Sequence, residues 1–127
     1  MKIAILGVWH VHAPDYTRTA LAHGEVVGFF ERNDALAEAF AAHFGLPRFA
    51  TVEELLASDC EAVIVCSATK DHTADIIAAA KAGKHVFTEK VLALTDAECD
   101  AIEVAVNESG VNFAISLFQK YIGSRKA

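Results

Sequence analysis

The stretch AGKHVFTEK, residues 82–90, decides the fold of this chain. Its pattern predicts a helix that stops at Gly83, a buried strand over His85–Thr88 and a Glu89–Lys90 pair directly after that strand. In an open parallel sheet, ligands bind at the carboxyl ends of the strands. The sequence therefore predicts that Lys90 lies where an ammonium group can orient a substrate or move a proton.

Short apolar runs alternate with amphipathic runs along the rest of the chain. The apolar runs predict strands, and the amphipathic runs, several of which have a capping residue before them and a glycine after them, predict helices. We predict strands at Lys2–Leu6, Val26–Phe30, Ala62–Cys66, His85–Thr88 and Asn112–Ser116, a short edge strand at Arg48–Ala50, and helices at Ala13–His23, Asp34–Phe44, Thr51–Ala57, Asp71–Ala82 and Thr95–Asn107. This strict alternation predicts the α/β class: a doubly wound parallel sheet in three layers, α/β/α.

Length and charge limit the classes of function. A chain of 127 residues fits one domain, and a net charge of −6 argues against nucleic acid or an anionic membrane surface as a partner. No apolar run approaches the roughly 20 residues that a membrane span needs. Cys60, Cys66 and Cys99 are odd in number and lack a C-x-x-C spacing, which predicts core residues in a reducing, cytoplasmic compartment.

The loop after the first strand is GVWHVH, residues 7–12. A dinucleotide-binding loop has the pattern G-x-G-x-x-G, of which only Gly7 is present, while Trp9 and His12 occupy the other two glycine positions. The following helix still offers free N–H groups to a phosphate, and His10 or His12 can add a donor. The alternative is an ordinary strand-to-helix turn with packed aromatic side chains.

Glu31 follows the second strand, 24 residues after Gly7. An acid at this position commonly accepts hydrogen bonds from the adenosine ribose. Arg32, the next residue, can instead meet a 2′-phosphate, so both NAD and NADP stay open, and Glu31 favours NAD. The alternative for Glu31 is a solvated charge at a helix entry.

His72, Lys90 and a set of histidines are further candidates for site residues. His72 opens a helix after the Ala62–Cys66 strand, where a neutral imidazole can hydrogen-bond a ribose or a substrate. For Lys90 the alternative to a substrate contact is a surface salt bridge. A metal site built from His10, His12, His72 and His85 is not expected, because His85 lies at the amino end of its strand, away from the others.

Together these motifs resemble the amino-terminal domain of the glucose–fructose oxidoreductase / inositol dehydrogenase (Gfo/Idh/MocA) family, whose fold is Rossmann-like. The specific part of the resemblance is His72 followed after ten residues by Ala82-Gly83-Lys84-His85-Val86 and then by Glu89-Lys90. Further matches are Glu31, the segment from Ala35 to Gly45, and Thr51-Val52-Glu53-Glu54-Leu55-Leu56. Departures from the family pattern are Trp9 and His12 in the loop, Ala68 in place of one proline and Val91 in place of another.

The resemblance implies an NAD(P)-dependent oxidoreductase that acts on a sugar, a cyclitol or a related hydroxy compound. It implies that Lys90 contacts the substrate and the nicotinamide ribose, and that the cofactor contacts are Gly7, Trp9, His10, His12, Glu31, Arg32, Ser67, Ala68, His72 and Glu89. It also implies a cofactor domain, residues 1–120, and the start of a truncated or absent second domain, residues 121–127, so the chain is expected to be a fragment that lacks the substrate domain. We therefore expect this chain to bind the cofactor without turning over substrate alone. Absence of the second domain would expose one sheet face or edge, which favours a homo-oligomer. The alternative is a non-enzymatic nucleotide-binding or oligomerising module.

Overall fold

Strands and helices alternate along the chain as the sequence predicts. The computed structural model describes residues 1–9, 12–89 and 95–116. The elements in these ranges are β1 (Lys2–Leu6), α1 (Ala13–His23), β2 (Glu25–Phe30), α2 (Asp34–Phe44), α3 (Val52–Ala57), β3 (Ala62–Val65), α4 (Thr69–Lys81), β4 (His85–Glu89), α5 (Asp96–Ser109) and β5 (Phe113–Ser116).

The described strands form one parallel sheet in the order β2-β1-β3-β4-β5. From β1 the chain first moves outward through β2 and then returns to β3 on the other side of β1, so the strand order reverses between β1 and β3. Leu6 pairs with both Phe30 and Val65, and Val65 pairs with Thr88, so the carboxyl ends of these four strands lie level with one another. In doubly wound sheets, the crevice at such a reversal is the usual ligand site.

Two helical layers cover the sheet, which confirms the predicted three-layer architecture. Helices α1 and α2 pack on one face, where the rings of Phe29 and Phe40 lie 4.7 Å apart. Helices α3, α4 and α5 pack on the other face through Leu55, Ile76 and Ile102, each at most 2% exposed. Among the residues described, no helix is long and apolar enough to cross a membrane.

Local capping explains most of the helix boundaries. Thr95 and Glu98 form a capping box, S/T-x-x-E in sequence, at the start of α5. At α3, Thr51 accepts a hydrogen bond from the Glu54 N–H, but the Glu54 carboxylate accepts from the Ala50 N–H rather than from that of Thr51. Helix α4 begins at Thr69, two residues before the predicted start.

The prediction of a short edge strand at Arg48–Ala50 is wrong. The segment makes only an isolated parallel bridge to β2, in which the Phe29 N–H donates to Pro47 O and the Phe49 N–H donates to Phe29 O. The ladder stops there because the N–H of Ala50 turns to the Glu54 carboxylate, 2.8 Å away. The sheet therefore has five strands in the ranges described.

Candidate functional site

The loops after β1 and β3 touch at the point where the strand order reverses. Gly7 has φ +86°, and a Cβ placed on it would lie 2.5 Å from the Cα of Ser67. Its N–H donates to the carbonyl oxygen of Phe30 at 2.7 Å. Only glycine accommodates both this backbone conformation and this approach. Gly7 therefore lies at the crevice where the ends of β1, β2 and β3 meet.

Glu31 is held at the rim of this crevice by two backbone groups. The residue is 6% exposed. Its Oε1 accepts from the N–H of Val8 at 2.7 Å, and its Oε2 accepts from the N–H of Asn33 at 2.9 Å. A carboxylate has about four acceptor positions, so lone pairs remain for further donors such as a vicinal diol. The buried carboxylate argues against a purely solvated charge at a helix entry.

Arg32 is fixed by a buried carboxylate on α4. Its two terminal nitrogens donate to the two oxygens of Asp75, at 3.0 and 2.8 Å. The guanidinium carbon lies 5.2 Å from the centre of the Phe30 ring, and Asp71 approaches to 3.9 Å. The hydrogen bonds to Asp75 hold the pKa of the Arg32 guanidinium above its ordinary value. Arg32 is therefore a permanent cation with a defined orientation.

A cleft of about 310 Å³ opens between these groups. Its wall combines backbone loops, opposite charges and one aromatic ring, from Trp9, Glu31, Arg32, Asn33, Leu36, Ala68, Lys70 and Asp71. Trp9 is 54% exposed, so its indole is a cleft wall and not the packed aromatic of the alternative interpretation. Two other cavities, of about 260 and 220 Å³, lie at β4–β5 and between α5 and β5, and their walls are mostly apolar.

His72 connects three elements at the same rim. It is 3% exposed. Its Nδ1 lies 3.3 Å from the carbonyl oxygen of Ser67, and its Nε2 forms a hydrogen bond with the hydroxyl of Thr88. That hydroxyl also donates to the carbonyl oxygen of Val65 at 3.0 Å. The imidazole thus ties the loop after β3 to the end of β4, and its contact with a ribose or substrate stays a prediction.

The other predicted contacts on described residues surround the helix N-termini. His12 is the N-cap residue of α1, and its Nδ1 lies 3.3 Å from Asp15, whose pKa is lowered by the hydrogen bonds from His12 and Arg18. Ala68 is the N-cap residue of α4. The hydroxyl of Ser67, at the contact with Gly7, is buried and has no hydrogen-bond partner within the described part of the chain.

Some predicted residues lie outside the described ranges. These are His10 and Lys90, the side chain of Glu89, Val91 and the predicted start of a second domain at 121–127. The backbone of Glu89 ends β4 and pairs with Ser116. Strand β4 is therefore one residue longer than predicted, and its Thr88 is level with the ends of the strands that precede Gly7 and Glu31.

The structure adds residues that sequence reasoning missed. Asp75 and Thr88 are both buried, at 2% and 0% exposure, and both hold predicted site residues in place. A polar residue inside an apolar run was the available signal: Asp75 precedes Ile76-Ile77, and Thr88 ends the strand His85-Val86-Phe87. Among the residues described, no three metal-ligating side chains converge, and His85 instead accepts from the N–H of Asn112 at the amino end of β4.

Comparison with known proteins assigns this architecture to a family. Residues 1–117 match the family model described as the Gfo/Idh/MocA oxidoreductase family, NAD-binding Rossmann fold. The chain belongs to the Gfo/Idh/MocA family. The match spans all the described elements, so the chain is an NAD(P)-binding Rossmann domain of this family.

Individual proteins that are similar to this chain are oxidoreductases, as the family description states. A 1,5-anhydro-D-fructose reductase from Ensifer adhaerens is 38% identical over 90 residues, which is 69% of this chain and 27% of the relative. A UDP-N-acetylglucosamine 3-dehydrogenase from Acidithiobacillus ferrooxidans is 31% identical over 118 residues, covering 91% of this chain and 36% of the relative. A solved structure of that dehydrogenase superposes with a TM-score of 0.82 at 29% identity, covering 91% of this chain and 38% of that one.

A third relative was solved with its cofactor. Biliverdin reductase from Synechocystis, solved with biliverdin and NADP⁺, has a TM-score of 0.82 at 25% identity and covers 90% of this chain and 37% of that one. The Gfo/Idh/MocA chain described here therefore spans between a quarter and two fifths of the length of these relatives.

Proposed function

We propose that this Gfo/Idh/MocA domain binds NAD(H) along the rim formed by the ends of β1, β2 and β3, as the cofactor domain of a dehydrogenase or reductase. The observation that supports it most is the Gly7–Ser67 contact. A Cβ at Gly7 would lie 2.5 Å from the Cα of Ser67, so the two loops meet closely here, and the buried hydroxyl of Ser67 lacks a partner within the described ranges. A buried hydroxyl without a partner is costly, and an oxygen of a bound cofactor would supply the missing hydrogen bond.

The residues of the rim suit the parts of a dinucleotide. Glu31 would accept hydrogen bonds from the adenosine ribose, and the N-terminus of α1 together with the loop 7–12 would hold the pyrophosphate. Trp9 would cover the adenosine half of the cleft. Ala68 lines the same cleft as Glu31 and Trp9 and would contact the adenosine half, whereas Ser67, His72 and Glu89 would hold the nicotinamide half. The bound nicotinamide supplies the hydride acceptor or donor of the reaction.

NAD is favoured over NADP because the side chain expected to contact the adenosine ribose, that of Glu31, is an anion. The Glu31 carboxylate can accept from both hydroxyls of an unmodified ribose, whereas a 2′-phosphate would face a like charge. Asp71 adds a second negative charge to the cleft wall.

Substrate and reaction belong to the whole protein. Following the resemblance, we propose a sugar, cyclitol or related polyol as substrate, with Lys90 as the group that orients the reacting hydroxyl or carbonyl and holds its proton. The names of the two relatives from Ensifer and Acidithiobacillus, a sugar reductase and a nucleotide-sugar dehydrogenase, support this class. We also propose a cytoplasmic location, which suits the free thiols of Cys60, Cys66 and Cys99.

We propose self-association through the sheet at β4–β5. There the apolar cavity of about 260 Å³ includes Met1, Phe87, Phe113 and Ala114, and Met1 is 65% exposed. Exposed apolar patches of this kind commonly mark contact surfaces. Light scattering on the purified chain should give a mass above that of the monomer, and a strictly monomeric mass would remove this part of the proposal.

A fluorescence titration with NADH tests the cofactor proposal. The unmodified chain should quench or shift NADH emission and saturate; no binding at millimolar NADH would favour the non-enzymatic module instead. Replacing Glu31 by alanine should weaken NADH binding by roughly 1–3 kcal/mol, the range for hydrogen bonds to charged groups. That loss corresponds to about a 5- to 150-fold rise in Kd.

The matched control is Glu38→Ala, which removes the same charge from the exposed side of α2. It should leave the Kd unchanged. Because Glu31 also holds the loop through Val8, Glu31→Gln serves as a milder variant, and a thermal melt of each variant without NADH separates unfolding from lost binding. Equal Kd values for the Glu31 and Glu38 variants would remove Glu31 from the site.

A further inference from the structure

The Arg32–Asp75 pair spans the gap between β2 and α4, at the edge of the cleft. Each terminal nitrogen of Arg32 donates to a different oxygen of Asp75, so the edge of the guanidinium that carries both terminal nitrogens, its fork, is engaged. The two partners differ in environment: the side chain of Asp75 is 3% exposed, and that of Arg32 is 38% exposed. A bidentate pair with a buried carboxylate is directional and hard to break, because separation would leave a buried charge alone.

This pairing decides what Arg32 can offer to a ligand. The edge that Asp75 occupies is one of the two guanidinium edges that can bind a phosphate with two parallel hydrogen bonds. The ring of Phe30 lies against the guanidinium at 5.2 Å, and Asp71 lies 3.9 Å from one terminal nitrogen. Arg32 still lines the cleft beside Glu31, but its charge is matched and its fork is occupied.

We propose that Asp75 is a specificity-determining residue of the domain: by holding the fork of Arg32, it withholds the cation that would bind a 2′-phosphate and thereby selects NAD(H) over NADP(H). The inference rests on the proposed cofactor site. It deepens that proposal, because it assigns the discrimination to a buried residue of α4 that is absent from the cleft wall. A protein can discriminate against one ligand by leaving a charged group of that ligand unpaired.

The charges of the cleft agree with this role. Glu31 and Asp71 are the anions of the wall, and Arg32 and Lys70 are its cations. Lys70 is 82% exposed and lies 3.9 Å from Asp71, so it is a flexible surface charge. With Asp75 behind Arg32, the cleft as a whole has one more negative than positive charge. A 2′-phosphate would bring further negative charge into this environment.

The test compares two variants that remove the same charge from different places. Asp75→Asn weakens the grip on the fork of Arg32, and Asp71→Asn removes a wall charge but leaves the fork engaged. For each variant, the Kd values of NADH and NADPH are measured by fluorescence titration or calorimetry. A freed guanidinium makes hydrogen bonds to a charged group, so the ratio of NADPH to NADH affinity in Asp75→Asn should rise by about tenfold or more.

Asp71→Asn should raise that ratio by less than threefold. The double variant Arg32→Gln/Asp75→Asn, whose neutral side chains can still hydrogen-bond to each other, should return to the ratio of the unmodified protein. The gain in Asp75→Asn should also shrink as salt is raised, because it depends on pairing with a phosphate.

Three results would overturn the proposal. Equal shifts in Asp75→Asn and Asp71→Asn would assign the effect to net charge alone. No shift in Asp75→Asn would show that the fork is not what excludes NADPH. If Asp75→Asn does not fold, the double variant provides the test. A tenfold fall in its ratio of NADPH to NADH affinity would mean that Arg32 already binds NADPH in the unmodified protein. Failure of the unmodified protein to bind NADH would be a different result, because it would refute the proposed cofactor site and not only the role of Asp75.

Discussion

Replacing Gly7 by alanine should damage the fold and the cleft together. At Gly7 the backbone has φ +86°, and the new Cβ would lie 2.5 Å from Cα, 2.6 Å from Cβ and 2.7 Å from N of Ser67. Two of these three atoms belong to the backbone, so no side-chain rotation relieves the clash. Relief requires that the loop after β1 move away from the loop after β3, at the centre of the sheet.

Two contributions set the size of the effect. Left-handed backbone in a residue with a Cβ costs about 1–2 kcal/mol. Forcing an extra methyl group into a packed site costs a further 1–3 kcal/mol, as is typical of overpacking. Together these give a loss of about 2–5 kcal/mol from a domain whose total stability is of the order of 5–15 kcal/mol.

The assay is urea denaturation followed by circular dichroism, with Gly45→Ala and Gly110→Ala as controls. Both control glycines also have positive φ, +68° and +70°, but a Cβ at either would meet nothing within 4 Å. The controls therefore report the backbone cost alone, and the difference from Gly7→Ala isolates the contact with Ser67. If Gly7→Ala loses no more stability than the controls, the close approach of the two loops is not real. NADH binding should weaken in Gly7→Ala alone.

Three further predictions follow from buried and capping groups. Thr88→Val keeps the shape of a fully buried side chain but loses its hydroxyl, and should lower the free energy of unfolding by about 1–3 kcal/mol in urea. Thr95→Ala removes the N-cap of α5 and should cost about 1 kcal/mol, and an unchanged stability would contradict the capping box. A thiol reagent should label Cys99 rapidly in the native protein and the two buried cysteines, Cys60 and Cys66, only after unfolding; three fast thiols would contradict the burial.

Thr19→Val is the control for Thr88→Val. The hydroxyl of Thr19 also donates to a backbone carbonyl, that of Asp15 at 3.1 Å, but the residue is exposed on α1. Water replaces an exposed hydrogen bond readily, so this variant should stay within about 0.5 kcal/mol of the unmodified protein. Equal losses in the two variants would mean that burial adds nothing to the role of Thr88.

The predictable part of the fold comes from signals that are local in sequence. The predicted helix and strand boundaries lie within two residues of the observed ones, because capping residues, glycine stops and apolar runs act over one or two turns. Thr95 with Glu98, and Gly45 and Gly110 in left-handed conformation, are of this kind. The parallel order then brings Gly7, Glu31 and Ser67 to one rim. For these reasons the general place of the site could be inferred from sequence.

The details of the site depend on partners that are distant in sequence. Arg32 could be placed near a ribose, but its pairing with Asp75, 43 residues later, depends on how α4 packs beside β2. Glu54 matched the capping-box pattern, yet its carboxylate bonds to Ala50 and so ends the bridge that was predicted as a strand. The half-exposed Trp9 could equally have been packed, since residue type alone does not say which side of a loop faces solvent.

The central position of β1 has a consequence for synthesis on the ribosome. Its partner β2 follows almost at once, but its other partner, β3, is complete only about 60 residues after β1 ends. At translation rates of about 5–20 residues per second, the open side of β1 waits about 3–12 seconds for β3. During that interval one edge of the apolar strand β1 has no partner in the nascent chain. Chaperones can bind this exposed edge until β3 forms.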